Sequence, residues 1–209
     1  TASITWGMVM DMGANGRLAV NPSVGAYAIG GAIGGLIFAV ITIFKPRWAP
    51  VTAPIYAALE GLFLGAISAV FERMYPGIVP QAAALTFGTL FALLAAYRSG
   101  LIKATENFKL GVIAATGGIC LVYLATILLG FFGIGIPFIH GSGPIGIAFS
   151  VFVVIIAALN LVLDFDFIEN GAEAGAPKYM EWVGPFGLMV TLVWLYIEIL
   201  HLLSKLRER

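Results

Sequence analysis

The sequence predicts an all-α membrane protein, and three observations carry that prediction. Of 209 residues, 60% are hydrophobic and 11% charged, and the mean hydropathy of +1.00 lies above what a water-exposed surface permits. Several stretches reach the ~20 apolar residues that a helix needs to cross a bilayer. Strand-length segments of alternating polarity, the mark of a membrane barrel, are absent. Eleven Lys+Arg balance eleven Asp+Glu, so neither a nucleic-acid footprint nor a strongly acidic partner surface is indicated.

The elements follow in order. Thr1 to Met12 is apolar but too short to span, and it lacks an initiator Met and a basic leader segment. It is expected to form the last turns of a truncated first helix, making seven in the intact bundle; the alternative is a short interfacial or processed segment. Val24 to Phe44 carries a ladder of small residues, Gly30, Gly31, Gly34 and Gly35, that lets a neighbouring helix approach closely, and it stops at Lys45-Pro46-Arg47. Val51 to Phe71 carries a second ladder, Gly61 and Gly65, with Glu60 near its middle, and stops at Glu72-Arg73. Ile78 to Tyr97 runs into the polar segment Arg98 to Lys109. Leu110 to Phe132 holds the lone cysteine, Cys120, which can make neither an internal disulfide nor a Cys-rich metal site and is expected to be a small core residue. Gly133 to Gly143 separates it from Pro144 to Leu163, and the acidic stretch Asp164 to Glu181 precedes Val183 to Leu203. No break is long enough for a soluble domain, so residues 1–209 are expected to be a single polytopic domain.

Lys/Arg bias in short loops sets orientation. If every segment crosses, one face carries Lys45, Arg47, Arg98, Lys103, Lys109 and Lys178 and the other Arg17, Arg73, Lys205, Arg207 and Arg209, a balance that decides nothing. If the last segment fails to cross, the tail joins the first face and the bias becomes strong. The 98–109 loop is therefore expected to be cytoplasmic, and the side of the C-terminus stays open.

Acidic side chains at bilayer depth cost on the order of 2.5–3.5 kcal/mol on insertion scales, so they face the bundle interior and mark ion or proton paths. Asp164 follows an apolar run, with Asn160 four residues earlier on the same helical face; the pair reads either as a polar stripe or as an ordinary helix-end carboxylate in the headgroup region. Glu60 stands about ten residues from either end of its segment and needs a partner or a proton; it is expected to point toward other helices. Glu198 and His201, spaced i and i+3, read as a proton-exchanging pair or as a snorkelled end preceding Lys205. Two other patterns fail. Asp164-Phe165-Asp166 followed by Glu169 lacks the oxygen ligand and the glycine that a calcium-binding EF-hand loop needs at Ile168 and Glu169. His140-Gly141-Ser142-Gly143 lacks the first glycine of an intramembrane serine protease motif, so no enzyme is expected.

Asn160-Leu-Val-Leu-Asp-Phe-Asp-Phe-Ile-Glu169, Gly175-Ala-Pro-Lys-Tyr-Met-Glu-Trp182 and Val193-Trp-Leu-Tyr-Ile-Glu-Ile-Leu200 form a long C-terminal signature. With Glu60-Gly61-Leu-Phe-Leu-Gly65, it resembles that of bacterial members of the transmembrane Bax-inhibitor-motif family. The resemblance implies a seven-helix fold with the last helix wrapped by the other six, placed in the bacterial inner membrane. It also implies a pH-sensitive leak of calcium or other cations, and a pair of aspartates on the last two helices.

Asp164, with Ile168 four residues on, matches the first aspartate. The second falls at Met189, and Met189 to Trp194 contains no acid, which invites Glu60 or Glu198 to share a proton with Asp164 as a coupled pair. The expected activity is a proton-gated cation leak with Asp164 as principal ligand or sensor, Glu60 and Glu198 in support, and Asn160 and His201 beside them. No cofactor is expected, and calcium enters as the transported ion. The alternative is a non-conducting protein, embedded in the lipid bilayer, that binds or modulates a membrane protease or another membrane complex.

Overall fold

The apolar runs become long helices. A computed structural model of the protein describes residues 10–12, 18–20, 24–132, 141 and 143–208. Among these lie α1 (Val24–Phe44), a 3-10 turn (Pro46–Trp48), α2 (Ala49–Met74), α3 (Ile78–Arg98), α4 (Glu106–Phe131), α5 (Pro144–Glu173) and α6 (Met180–Arg207). Among the described residues six helices are long and apolar enough to cross a membrane, and α1 shows why water is the wrong solvent. Ile29, Ile33, Leu36, Ile37, Val40 and Ile43 recur at helical spacing and are all exposed, an apolar face larger than aqueous monomers tolerate. The protein is a multi-pass membrane protein.

Two expectations are corrected here. Met10–Met12 (β1) is not helical; it pairs antiparallel with Leu18–Val20 (β2), Met10 opposite Val20. No seventh helix lies among the described residues, and Thr1 to Val9 fall outside them. Second, Cys120 is exposed rather than part of the core.

The chain divides into two units, one of residues 1–81 and 168–193 and the other of 82–167 and 194–209. In the first unit α1 packs on α2 through the small-residue ladder. A Cβ added at Gly31 would come within 2.7 Å of both the Leu59 carbonyl oxygen and the Phe63 amide nitrogen, and one at Gly34 would touch the Leu59 side chain. Gly30 faces open space, so it belongs to the exposed face and not to the seam. Below the seam, Thr42 Oγ1 lies 2.7 Å from Thr52 Oγ1 and from the Phe38 carbonyl, which keeps both hydroxyls satisfied where water is absent. Ala53, Tyr56 and Phe186 form a core cluster, with Phe38, Ala39 and Met189 packed against it and the Tyr56 and Phe186 rings edge to face at 5.0 Å.

Glu72 links α2 to the start of α3. Its carboxylate accepts from the Gly77 amide at 2.6 Å and the Val79 amide at 3.1 Å, so one side chain satisfies two of the donors that a helix N-terminus leaves open. Gly77 has φ +81°, a left-handed turn that favours glycine. Glu72→Ala is expected to cost about 2 kcal/mol, and Glu72→Gln less; thermal unfolding in detergent checks the order.

The second unit is organised around Ile119, Val153 and Ile156, with Phe149, Leu159 and Trp194 packed on them. Contacts between α4 and α5 run in opposite chain directions. Lys109 bonds Asp166 at 2.8 Å, Thr116 bonds Asn160 and Tyr123 meets Phe149, so the two helices are antiparallel and their levels can be read against each other.

α5 continues ten residues past the expected end at Leu163. Acidic residues end an apolar run without ending a helix; termination waits for Gly175, at φ +63°. There the Gly175 amide donates to the Ala172 carbonyl and the Ala176 amide to the Gly171 carbonyl, the paired bonds of a Schellman end.

Candidate functional site

The candidate residues are divided between the two units. In the first, Glu60 lies eleven residues into α2, about 16 Å along the helix and so near mid-span. Its side chain is turned to α1: a Cβ at Gly35 would sit 3.4 Å from the Glu60 carboxyl carbon. The Tyr56 hydroxyl, one turn earlier, is hydrogen-bonded to it. Glu60 Oε2 is buried and has no hydrogen-bond partner, which leaves an acceptor for a proton or a cation in a place where unsatisfied polar atoms are costly.

In the second unit Asn160 donates to Thr116 Oγ1 and to the Ile156 carbonyl, both at 2.8 Å. Asp164 stands one turn further on, its Oδ2 buried. Twenty residues of α5 separate it from Pro144, about 30 Å at 1.5 Å per residue. Next to it in sequence, Asp166 accepts from Lys109, which also reaches Glu106 at 3.2 Å.

Glu198 is the most enclosed of the predicted acids, at 4% exposure. Its Oε1 accepts from the Tyr123 hydroxyl at 2.8 Å and from Trp194 Nε1 at 3.3 Å. His201, by contrast, is exposed. Lys205 does not extend outward as a snorkelled end; its ammonium donates to Ser150 Oγ at 2.8 Å and to the Gly146 carbonyl at 3.3 Å. Tyr123, Ser150, Glu198, His201, Ser204 and Lys205 line one cleft of about 390 Å³.

The antiparallel ladder of α4 and α5 separates two of the acids. Glu198 is held at the level of Tyr123 and thus of Phe149, and the chain from Phe149 to Asp164 rises about 22 Å at 1.5 Å per residue. Asp164 and Glu198 therefore do not share a proton, which corrects half of the substitution that the empty second aspartate position suggests. Among the described residues no three His, Cys, Asp or Glu side chains converge as a metal site. The protease-like His140 and Ser142 lie outside the described residues.

The sequence profile described as Bax inhibitor 1 like matches residues 1–208. The chain belongs to the Bax inhibitor 1-like family. No curated protein and no solved structure matches it. In this Bax inhibitor 1-like chain Met189, at the position of the expected second aspartate, packs against the Ala53, Tyr56 and Phe186 cluster. The aspartate is thus replaced by apolar packing.

Sequence reasoning missed four contributors to the Bax inhibitor 1-like chain's polar sites: Tyr123, Thr116, Ser150 and Lys205. Trp194 and Glu198, four apart on one helix face, carried a local signal. The other four act across helices, and a single Tyr, Thr or Ser in an apolar run is indistinguishable from packing until the neighbouring helix is in place.

Proposed function

We propose that this Bax inhibitor 1-like chain is a non-enzymatic, pH-sensitive leak for calcium or other cations in the cytoplasmic membrane of a bacterium. Buried carboxyls regulate it. The observation that carries the reading is Glu60: a carboxyl near mid-span, fixed by Tyr56 and the close approach at Gly35, with one buried oxygen unsatisfied. Carboxylates are retained at such depth where they handle charge. Asp164, beside the Lys109–Asp166 ion pair, supplies the second regulated position.

The test is ion flux in vesicles reconstituted with the full chain, using calcium and potassium across pH 5 to 8. A leak is expected whose rate changes with pH, with Glu60→Gln and Asp164→Asn each moving the midpoint. Asp164→Asn and Glu198→Gln are expected to act additively within about 0.5 kcal/mol, because sites this far apart share no partners. Absence of flux at every pH would overturn the reading. It would favour the interaction protein instead, for which the local satisfaction of Glu198 by Tyr123 and Trp194 is the supporting observation.

A further inference from the structure

The cleft at the C-terminal end of α6 has a composition that its own lysine completes. Two carboxylates, Glu198 and Glu208, line it with Lys205, and both act on the ammonium electrostatically. Removing the lysine leaves those two carboxyl groups in a cleft with other oxygens, the Ser150, Ser204 and Tyr123 hydroxyls, and frees the Gly146 carbonyl. A cleft with that inventory suits a hard cation, since carbonyl, hydroxyl and carboxylate oxygens are the ligands such ions take.

Lysine reaches this position by design of the helices rather than by accident of the surface. A lysine in the last turn of a spanning helix ordinarily extends its stem toward the headgroups, and Arg207, two residues on, is exposed. Lys205 instead turns back onto α5, where Gly146 and Ser150 are both buried. Gly146 and Ser150 are spaced i and i+4, so a carbonyl and a hydroxyl from one helix face meet one point.

We infer that Lys205 is a tethered cation held by the Gly146 carbonyl and the Ser150 hydroxyl in a cleft that Glu198 and Glu208 also line, and that a mobile monovalent or divalent cation takes its place when the ammonium leaves. The inference deepens the leak proposed above, by placing a built-in plug at one end of the second unit, but the site itself does not require that the protein conduct.

The experiment therefore has two independent readouts on the purified full chain. Thermal unfolding in detergent is measured for wild type, Lys205→Ala and Lys205→Met in choline chloride, then with methylammonium, potassium, sodium or calcium chloride added. Lys205→Ala is expected to gain on the order of 3 °C in Tm from methylammonium. Lys205→Met is expected to gain a similar amount from at least one of the three metal ions, and wild type to gain from none. Ser150→Ala placed on either variant should reduce the gain. If a variant does not fold in choline, its recovery as a monodisperse protein only when the cation is present supports the site. Equal responses of wild type and both variants, or recovery in no cation, overturn it. Vesicle flux is the second readout: a leak in Lys205→Met several-fold above wild type is expected if the leak reading holds. Absence of flux in both, with the ion-dependent Tm gain intact, would sink the leak and leave the site standing. A wild-type leak unchanged in Lys205→Met, without the Tm gain, would remove the plug and leave the leak.

Discussion

Replacing Gly31 by valine is expected to destabilise the protein by about 3 kcal/mol or more. An added Cβ there meets backbone atoms, the Leu59 carbonyl oxygen and the Phe63 amide nitrogen at 2.7 Å, and backbone cannot rotate aside as a side chain can. The helices must separate, which forfeits packing along the seam and disturbs the position of Glu60 one turn beyond it. Overpacking of well-packed sites costs about 1–3 kcal/mol when neighbours can yield, and more when they cannot. Gly30→Ala is the matched control, because nothing lies within 4 Å of its added Cβ; it is expected to be neutral within about 0.5 kcal/mol. Thermal unfolding of both variants in the same detergent measures the contrast, and a Gly30 variant as damaged as the Gly31 variant would mean that α1 does not dock by this face.

The second large effect is expected at Glu198. Glu198→Leu deprives the Tyr123 hydroxyl and the Trp194 indole of their common acceptor, and each buried donor left unsatisfied costs about 1–3 kcal/mol. A loss of about 3 kcal/mol is expected. Glu198→Gln keeps an acceptor oxygen in the same place and should lose about 1 kcal/mol, with Tyr123→Phe between the two. Losses that fall in the order Glu198→Leu, Tyr123→Phe, Glu198→Gln separate a hydrogen-bonding role from a charge role; equal losses for the two Glu198 variants would assign the effect to the charge, acting on Lys205, instead.

The apolar runs made most of the fold legible. Val24 to Phe44 is a helix over the residues that hydropathy marks, because in a bilayer burial of backbone polar groups forces any long apolar run to be helical. The errors arose where polarity and helicity part company. Asp164 looked like the start of a break, yet aspartate and glutamate do not interrupt a helix, and α5 runs on until a glycine with positive φ ends it. Met10–Met12 looked helical because three residues carry no period of their own; pairing with Leu18–Val20 decides their conformation.

The candidate acids were legible as costs, since a carboxyl within an apolar segment stands out in any reading. Their partners were not. Tyr123 and Glu198 are 75 residues apart, Lys205 and Ser150 are 55 apart, and neither pairing has a spacing rule. Depth was legible only after the helix ends were known: Glu60 is near mid-span, whereas Asp164 sits about 30 Å from the start of α5.

The extension of α5 to Glu173 also changes what an approaching ion meets. Thirty residues make a helix about 45 Å long, against a hydrocarbon layer of about 30 Å, so the last turns stand in the aqueous boundary. Those turns carry Glu169 and Glu173, both exposed, and α6 opens with exposed Glu181. Since the C-terminus of a helix is already the negative pole of its dipole, the carboxylates add to that pole instead of offsetting it. Exposed Lys178, between Glu173 and Glu181, offsets one of these charges, so the attraction for cations is local to the helix end and fades within about a Debye length, ~8 Å at physiological salt. Local enrichment is exponential in ionic charge, so whatever factor this helix end applies to a monovalent ion is squared for a divalent one.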